Sequence, residues 1–221
     1  MSDGEPDPIE REPQAQAYYS AILLHGGGGS PEEFLPLLSF LQGPRAATRF
    51  ILPGAPVQRV ALFGNVAMRA WYNVLHDDLE REVDQAGIER SEQRLRELIE
   101  REESRGIPRE RILLGGFSQG GAIALYTALR FPHRLAGVIA LSSYLPPTEA
   151  LHAGSCHCPG TPVYIGHGTD DELVPLALAR KAARFAASHG CLVEFETFPM
   201  GHSTCPAEFD SIKNWLKRTL A

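Results

Sequence analysis

The chain has 221 residues, 43% of them hydrophobic and 22% charged, with a formal net charge of −6. That length buries one sizeable core and makes a single domain the expectation. No basic stripe is present to neutralise phosphates, which excludes nucleic acid as a main partner, and no apolar run reaches membrane-spanning length.

Residues 1–17 are acidic and proline-rich and lack the basic start and apolar run of a signal peptide. They read as a disordered or loosely docked lead to a domain over 18–221, in a chain expected in the cytoplasm. Tyr19–His25 (YSAILLH) reads as a buried strand, and the glycines after it mark a strand-to-helix turn. Ser30-Pro31-Glu32-Glu33 supplies an N-cap, a first-turn proline and acid, which predicts a helix to about Leu41. Phe50–Leu52 is a second strand, ended by Pro53-Gly54-Ala55-Pro56. Val57–Asp77 has no clean period yet carries Leu62, Phe63, Met68, Trp71 and Tyr72, as a loop folded over something apolar would.

Ser91–Arg105 is helical, with Leu95, Leu98 and Ile99 on one face. Ile112–Ala122 (ILLGGFSQGGA) then runs from an apolar strand through Gly116-Phe117-Ser118-Gln119-Gly120 into a helix that extends to about Arg130. Leu135–Leu141, Pro162–Gly166 and Leu192–Phe198 are further short apolar strands, with a helix from about Pro175 to Ser188 before the last of them. The final helix sets Phe209, Ile212 and Leu216 on one face, flanked by Trp215. Strands alternating with helices imply a mostly parallel sheet covered on both faces. The glycine- and proline-broken segment between Leu141 and Pro162 is too short for a large cap, so the site is expected to be open.

The cysteines are Cys156, Cys158, Cys191 and Cys205, too sparse for a disulfide scaffold, and a reduced state is expected. Cys156-His157-Cys158 has C-x-C spacing without a matching second pair, so a surface loop is the reading there, with no metal and no cofactor.

G-x-S-x-G is short enough to recur by chance, but a strand before it and a helix after it place Ser118 in the tight turn of a nucleophile elbow. A nucleophilic serine needs a base, and His202, in a loop after a strand and before the last helix, has the best setting. The carboxylate that orients it comes from His167–Pro175, where spacing alone does not separate Asp170 from Asp171 and ranks Glu172 slightly behind. The order Ser…Asp…His is that of α/β-hydrolases. The Gln119 backbone N–H, at a helix N-terminus, is one expected oxyanion donor, and the other comes from His25-Gly26-Gly27-Gly28-Gly29. His25 itself is expected to brace that turn.

Leu24-His25-Gly26, Pro53–Pro56, Ala70-Trp71-Tyr72, Gly115–Ala124, Ala140–Pro146, His167–Pro175 and Phe198–Ser203 together resemble the phospholipase/carboxylesterase family of α/β-hydrolases. The resemblance implies a single-domain α/β-hydrolase, a triad of Ser118, Asp171 and His202, and oxyanion donors at Gly27 and Gln119. It also implies that the stretch from Leu62 to Tyr72 borders an acyl groove, with Trp71 the best match. Candidate substrate contacts are Leu62, Phe63, Trp71, Tyr144 and Leu173. The family's HGLGD turn reads HGGGG here, so its acyl-length preference does not carry over. HGGGG is also similar to the turn of hormone-sensitive-lipase-like esterases, but GFSQG and the short insertion depart from them.

The resulting expectation is a serine carboxylesterase for short to medium acyl chains. The alternatives are an acyl-protein thioesterase or lysophospholipase and, more distantly, a non-catalytic binding protein on the same scaffold. Its partner is a small-molecule or acylated substrate. A homodimer is the assembly to test.

Overall fold

Six apolar runs of the sequence lie side by side in the computed structural model, which describes residues 7–42, 47–80, 82–148, 151 and 160–220. The strands are β1 (Ile9–Arg11), β2 (Tyr19–Leu24), β3 (Thr48–Leu52), β4 (Val57–Val60), β5 (Val66–Arg69), β6 (Ile112–Phe117), β7 (Gly137–Leu141), β8 (Pro162–Gly168) and β9 (Leu192–Phe198). The helices are α1 (Gln85–Ser104), α2 (Gln119–Arg130), α3 (Leu176–Ser188) and α4 (Pro206–Thr219). The main sheet has the order β1-β3-β2-β6-β7-β8-β9, parallel except for β1.

Alternation along the strands divides the core into two layers. Ile22 and Leu24 of β2 pack under α1, α2 and α3, whereas Ala21 and Leu23 face the opposite layer, where Phe209, Ile212, Trp215 and Leu216 of α4 and Phe34 lie. Every residue of β2 and β7 is buried, so helices cover both faces and no polar alternation survives in those strands.

Several boundaries differ from the sequence reading. Ile9–Arg11, expected to be disordered or loosely docked, pairs antiparallel with Phe50–Leu52. Ion pairs hold it there: Glu10 meets Arg101 and Arg105 at 2.8 Å each, and Glu12 meets Arg49 at 2.7 Å and Arg105 at 2.8 Å. The helix expected to reach Leu41 is a 3-10 helix over Pro31–Leu37, because in an α-helix the ring of Pro36 would clash with the carbonyl of Glu32. α1 starts before Ser91, where the Asp84 carboxylate accepts from the Gly87 N–H at 2.9 Å and Ile88 extends the apolar face.

The irregular stretch after Val57 contains a hairpin, β4 against β5, whose tip carries Gly64 and Asn65 at positive φ. Cys191 is disulfide-bonded, against the expected reduced state. Cys156-His157-Cys158 also falls outside them. Among the described residues no helix is long and apolar enough to cross a membrane.

Candidate active site

Parallel strands deliver their C-terminal loops to one rim, and the predicted residues gather there. Ser118 joins β6 to α2 at φ 53°, ψ −121°, a conformation that carries strain for a residue with a β-carbon. The turn closes because its neighbours are glycines. A β-carbon on Gly116 would lie 2.3 Å from the Gly120 carbonyl carbon, and one on Gly120 would lie 2.1 Å from the Leu24 oxygen.

The loop after β9 brings His202 Nε2 to 3.0 Å from Ser118 Oγ, while Nδ1 lies 2.8 Å from Asp171 Oδ2. A carboxylate only accepts, so Nδ1 carries the proton and Nε2 is left to accept from the serine hydroxyl. The other oxygen, Asp171 Oδ1, accepts backbone N–H bonds from Leu173 at 3.0 Å and Val174 at 2.8 Å. The Asp171 side chain is fully buried and that of His202 only 17% exposed, which shields this chain of bonds from water.

Asp170, which spacing did not separate from Asp171, is exposed and accepts the Thr169 hydroxyl instead. Glu172 is exposed at the cavity rim. His167 is buried behind Asp171, its Nε2–H donating to Val174 O at 2.8 Å, and burial pushes its pKa down so that it stays neutral.

The glycine turn after β2 lies across from Ser118. Gly28 N–H donates to Arg69 O at 2.7 Å and Gly29 N–H to Gly26 O at 3.1 Å, so both are consumed internally. Gly27 lines the cavity beside Gln119, which opens α2 and so has no intrahelical acceptor for its own N–H. His25 braces the turn as expected. Its Nδ1–H donates to Gly26 O at 2.7 Å and its Nε2 accepts from Ala55 N at 3.0 Å, with burial holding the ring neutral.

A cavity of about 360 Å³ opens over these groups. Four of the five candidate substrate contacts, Leu62, Phe63, Tyr144 and Leu173, line it. Trp71 does not. It is 2% exposed, its Nε1–H donates to His25 O at 2.8 Å, and its backbone N–H donates to Gln119 Oε1 at 3.1 Å. With its polar edge satisfied inside the protein, the indole supports the glycine turn and does not face the cavity.

Val74, Asp77, Leu79 and Val174 line the cavity without having been singled out. Val74 and Leu79 continue the apolar stretch past Tyr72, the signal that could have found them. Tyr144 and Leu79 also wall a smaller apolar cavity of about 70 Å³ next door, where Leu178 and Phe185 of α3 lie. The Tyr144 hydroxyl shares a 2.7 Å hydrogen bond with that of Tyr72, and burial pushes the Tyr144 pKa up to about 12.

Comparison with known proteins agrees with this architecture. A curated acyl-protein thioesterase 1 from Cryptococcus neoformans var. neoformans is 36% identical over 220 residues, covering 91% of this chain and 92% of its own length. The Saccharomyces cerevisiae acyl-protein thioesterase 1 is 33% identical over 216 residues, covering 93% and 94%. The crystal structure of Arabidopsis thaliana SOBER1 superposes with a TM-score of 0.84 at 27% identity, over 92% of this chain and 99% of that one. The phospholipase/carboxylesterase family profile matches residues 9–220. With a match that runs from the first strand to the end of the last helix, the chain belongs to the phospholipase/carboxylesterase family of α/β-hydrolases and is a serine hydrolase of ester or thioester bonds.

Proposed function

We propose that Ser118 is the nucleophile, His202 the general base and Asp171 its orienting carboxylate, in an esterase for short to medium acyl chains. The observation that carries the reading is the unbroken hydrogen-bond sequence from Ser118 Oγ through His202 to Asp171, at 3.0 and 2.8 Å. Ser118 Oγ attacks the acyl carbon as its proton passes to His202 Nε2, and Asp171 stabilises the imidazolium that results. The carbonyl oxygen, now an oxyanion, is held by the backbone N–H groups of Gly27 and Gln119, with the N-terminal end of α2 adding its dipole. Collapse breaks the bond to the leaving group, which takes the proton from His202. Water then attacks the acyl-enzyme by the same steps and releases the acid and free Ser118.

This chemistry needs no metal or cofactor. The cavity's size, near the lower end of the roughly 300–1,000 Å³ range of small-molecule sites, supports short to medium acyl groups. Thioester hydrolysis is the second reading, favoured by the two relatives named acyl-protein thioesterase 1. The state of Cys191 follows residence: in the reducing cytoplasm expected from composition the disulfide opens, and in an oxidising compartment it persists.

The test compares kcat/KM on p-nitrophenyl esters of graded length, acyl-thioesters and a lysophospholipid. A hundredfold preference for thioesters would reverse the order of the two readings. Ser118→Ala should lower kcat by roughly 10⁵–10⁶-fold, the scale seen on removing such a nucleophile. Full turnover by that variant would end the assignment.

A further inference from the structure

Three residues at the end of β7 contact the nucleophile and the loop that carries the base. The Ser118 N–H donates to Leu141 O at 2.8 Å, and the Ser143 hydroxyl donates to Ser118 O at 2.9 Å. The Ser142 hydroxyl reaches the other way and donates at 3.0 Å to the carbonyl of Ser203, the residue after His202. The Ser142 N–H anchors the same segment to β8 through Gly166 O at 2.9 Å. Ser142 and Ser143 are buried, at 0% and 2% exposure.

Ser142 holds this place in a strained backbone, with φ at 45°. A non-glycine residue keeps such a conformation where its surroundings over-determine it, and such strain clusters at functional sites. Leaving the extended strand path directs successive hydroxyls to opposite walls, one to the nucleophile and one to the base loop. The neighbouring helix makes room for this: a β-carbon on Gly121 would lie 2.9 Å from the Ser143 β-carbon.

We propose that Ser142 and Ser143 are positioning residues that set the distance between the Ser118 hydroxyl and the His202 imidazole. Ser118 O already accepts from the Ala122 N–H at 3.0 Å, so the Ser143 hydroxyl is not needed to satisfy that carbonyl. What it adds is a lateral tether on a residue whose backbone is itself strained. Ser142 supplies the matching tether on the base loop, and one peptide link joins the two. This inference rests on the assignment of Ser118 and His202 given above.

The experiment compares Ser142→Ala, Ser142→Gly and Ser143→Ala with the unmodified chain and with Ser118→Ala. Misplacing reacting atoms by about 1 Å costs on the order of 100-fold, so both Ser142 variants should lose about 10- to 100-fold in kcat, with KM changed by less than about threefold. Glycine relieves the positive φ and alanine does not, so Ser142→Gly should melt at a higher temperature than Ser142→Ala. Activity follows the hydroxyl while stability follows the backbone, and that divergence separates positioning from general support of the fold. If kcat recovers in Ser142→Gly together with melting temperature, or if both Ser142 variants turn over like the unmodified chain while Ser118→Ala is inactive, the proposal is wrong and the nucleophile assignment stands. Turnover by Ser118→Ala overturns both. Should Ser142→Ala fail to fold, Ser143→Ala carries the same comparison of kcat against KM, and an unchanged kcat there refutes the tether.

Discussion

Replacing Asp171 by asparagine leaves the shape of the site intact and reverses both hydrogen bonds of the His202 ring. The loop around residue 171 decides which end of the new amide goes where. Leu173 and Val174 present two backbone N–H groups to Oδ1, so the amide oxygen must take that position. The flipped rotamer would set two donors against an NH₂ group, at about 1–3 kcal/mol for each unsatisfied donor. The amide NH₂ therefore faces His202 Nδ1, 2.8 Å away, where the carboxylate had accepted. Nδ1 must now accept, the ring proton moves to Nε2, and Nε2 points a donor at Ser118 Oγ. The base is lost through its tautomer.

A tautomer reversal of this kind lowers kcat by about 10⁴, or about 5 kcal/mol at ~1.36 kcal/mol per tenfold. The assay is kcat on a short-chain p-nitrophenyl ester, with melting temperature measured beside it to show an intact fold. Asp170→Asn is the control, since that exposed side chain meets Thr169 and not His202. Equal losses in the two variants would refute the reasoning.

Glu208 is fully buried, and burial pushes its carboxyl up to about 8 from the ordinary 4.5. Between those values the unfolded chain loses this proton while the folded chain keeps it, so the contribution is full below the unfolded pKa and is lost as pH rises through the window. Glu208→Gln should flatten the decline of melting temperature from pH 5 to 9 and raise stability at pH 8, and parallel profiles would contradict it. Tyr144→Ala should join the 360 Å³ cavity to its 70 Å³ neighbour and move the ester optimum to longer chains, as read from kcat/KM across the graded series. A thiol count on denatured protein should give two fewer reactive thiols before reduction than after, and equal counts would show Cys191 to be unbonded.

Strands β2, β6 and β7 were legible because burial on both faces leaves apolar runs that glycine and proline bound. Ser118 was legible for a related reason, since it follows such a run, and His202 because it lies in a loop between a strand and the last helix. Asp171 was distinguishable from Asp170 only through family resemblance. What sets them apart physically is a local turn in which the Asp171 carboxylate binds the N–H groups two and three residues on. β1 was illegible because three residues reading IER carry no pattern, and their pairing depends on Arg49, Arg101 and Arg105 far along the chain. The β4–β5 hairpin was hidden for the opposite reason: Val57 and Val66 are exposed, so its apolar residues do not alternate as in a half-buried strand. Trp71 misled because an aromatic residue near an acyl site and an aromatic residue supporting that site look alike until the partner of its N–H is known.

The way the sheet ends bears on how copies of the chain meet. An open border of a sheet is a row of unpaired amides that recruits further strands. One border here is the short, charged, antiparallel β1, and the other is β9, which carries Glu194 and Glu196. Both borders thus discourage continuous pairing between molecules, and a dimer would form through faces or loops. Removing the first twelve residues would bare the backbone of Phe50, Ile51 and Leu52 on β3, so N-terminal truncation should promote aggregation through that border.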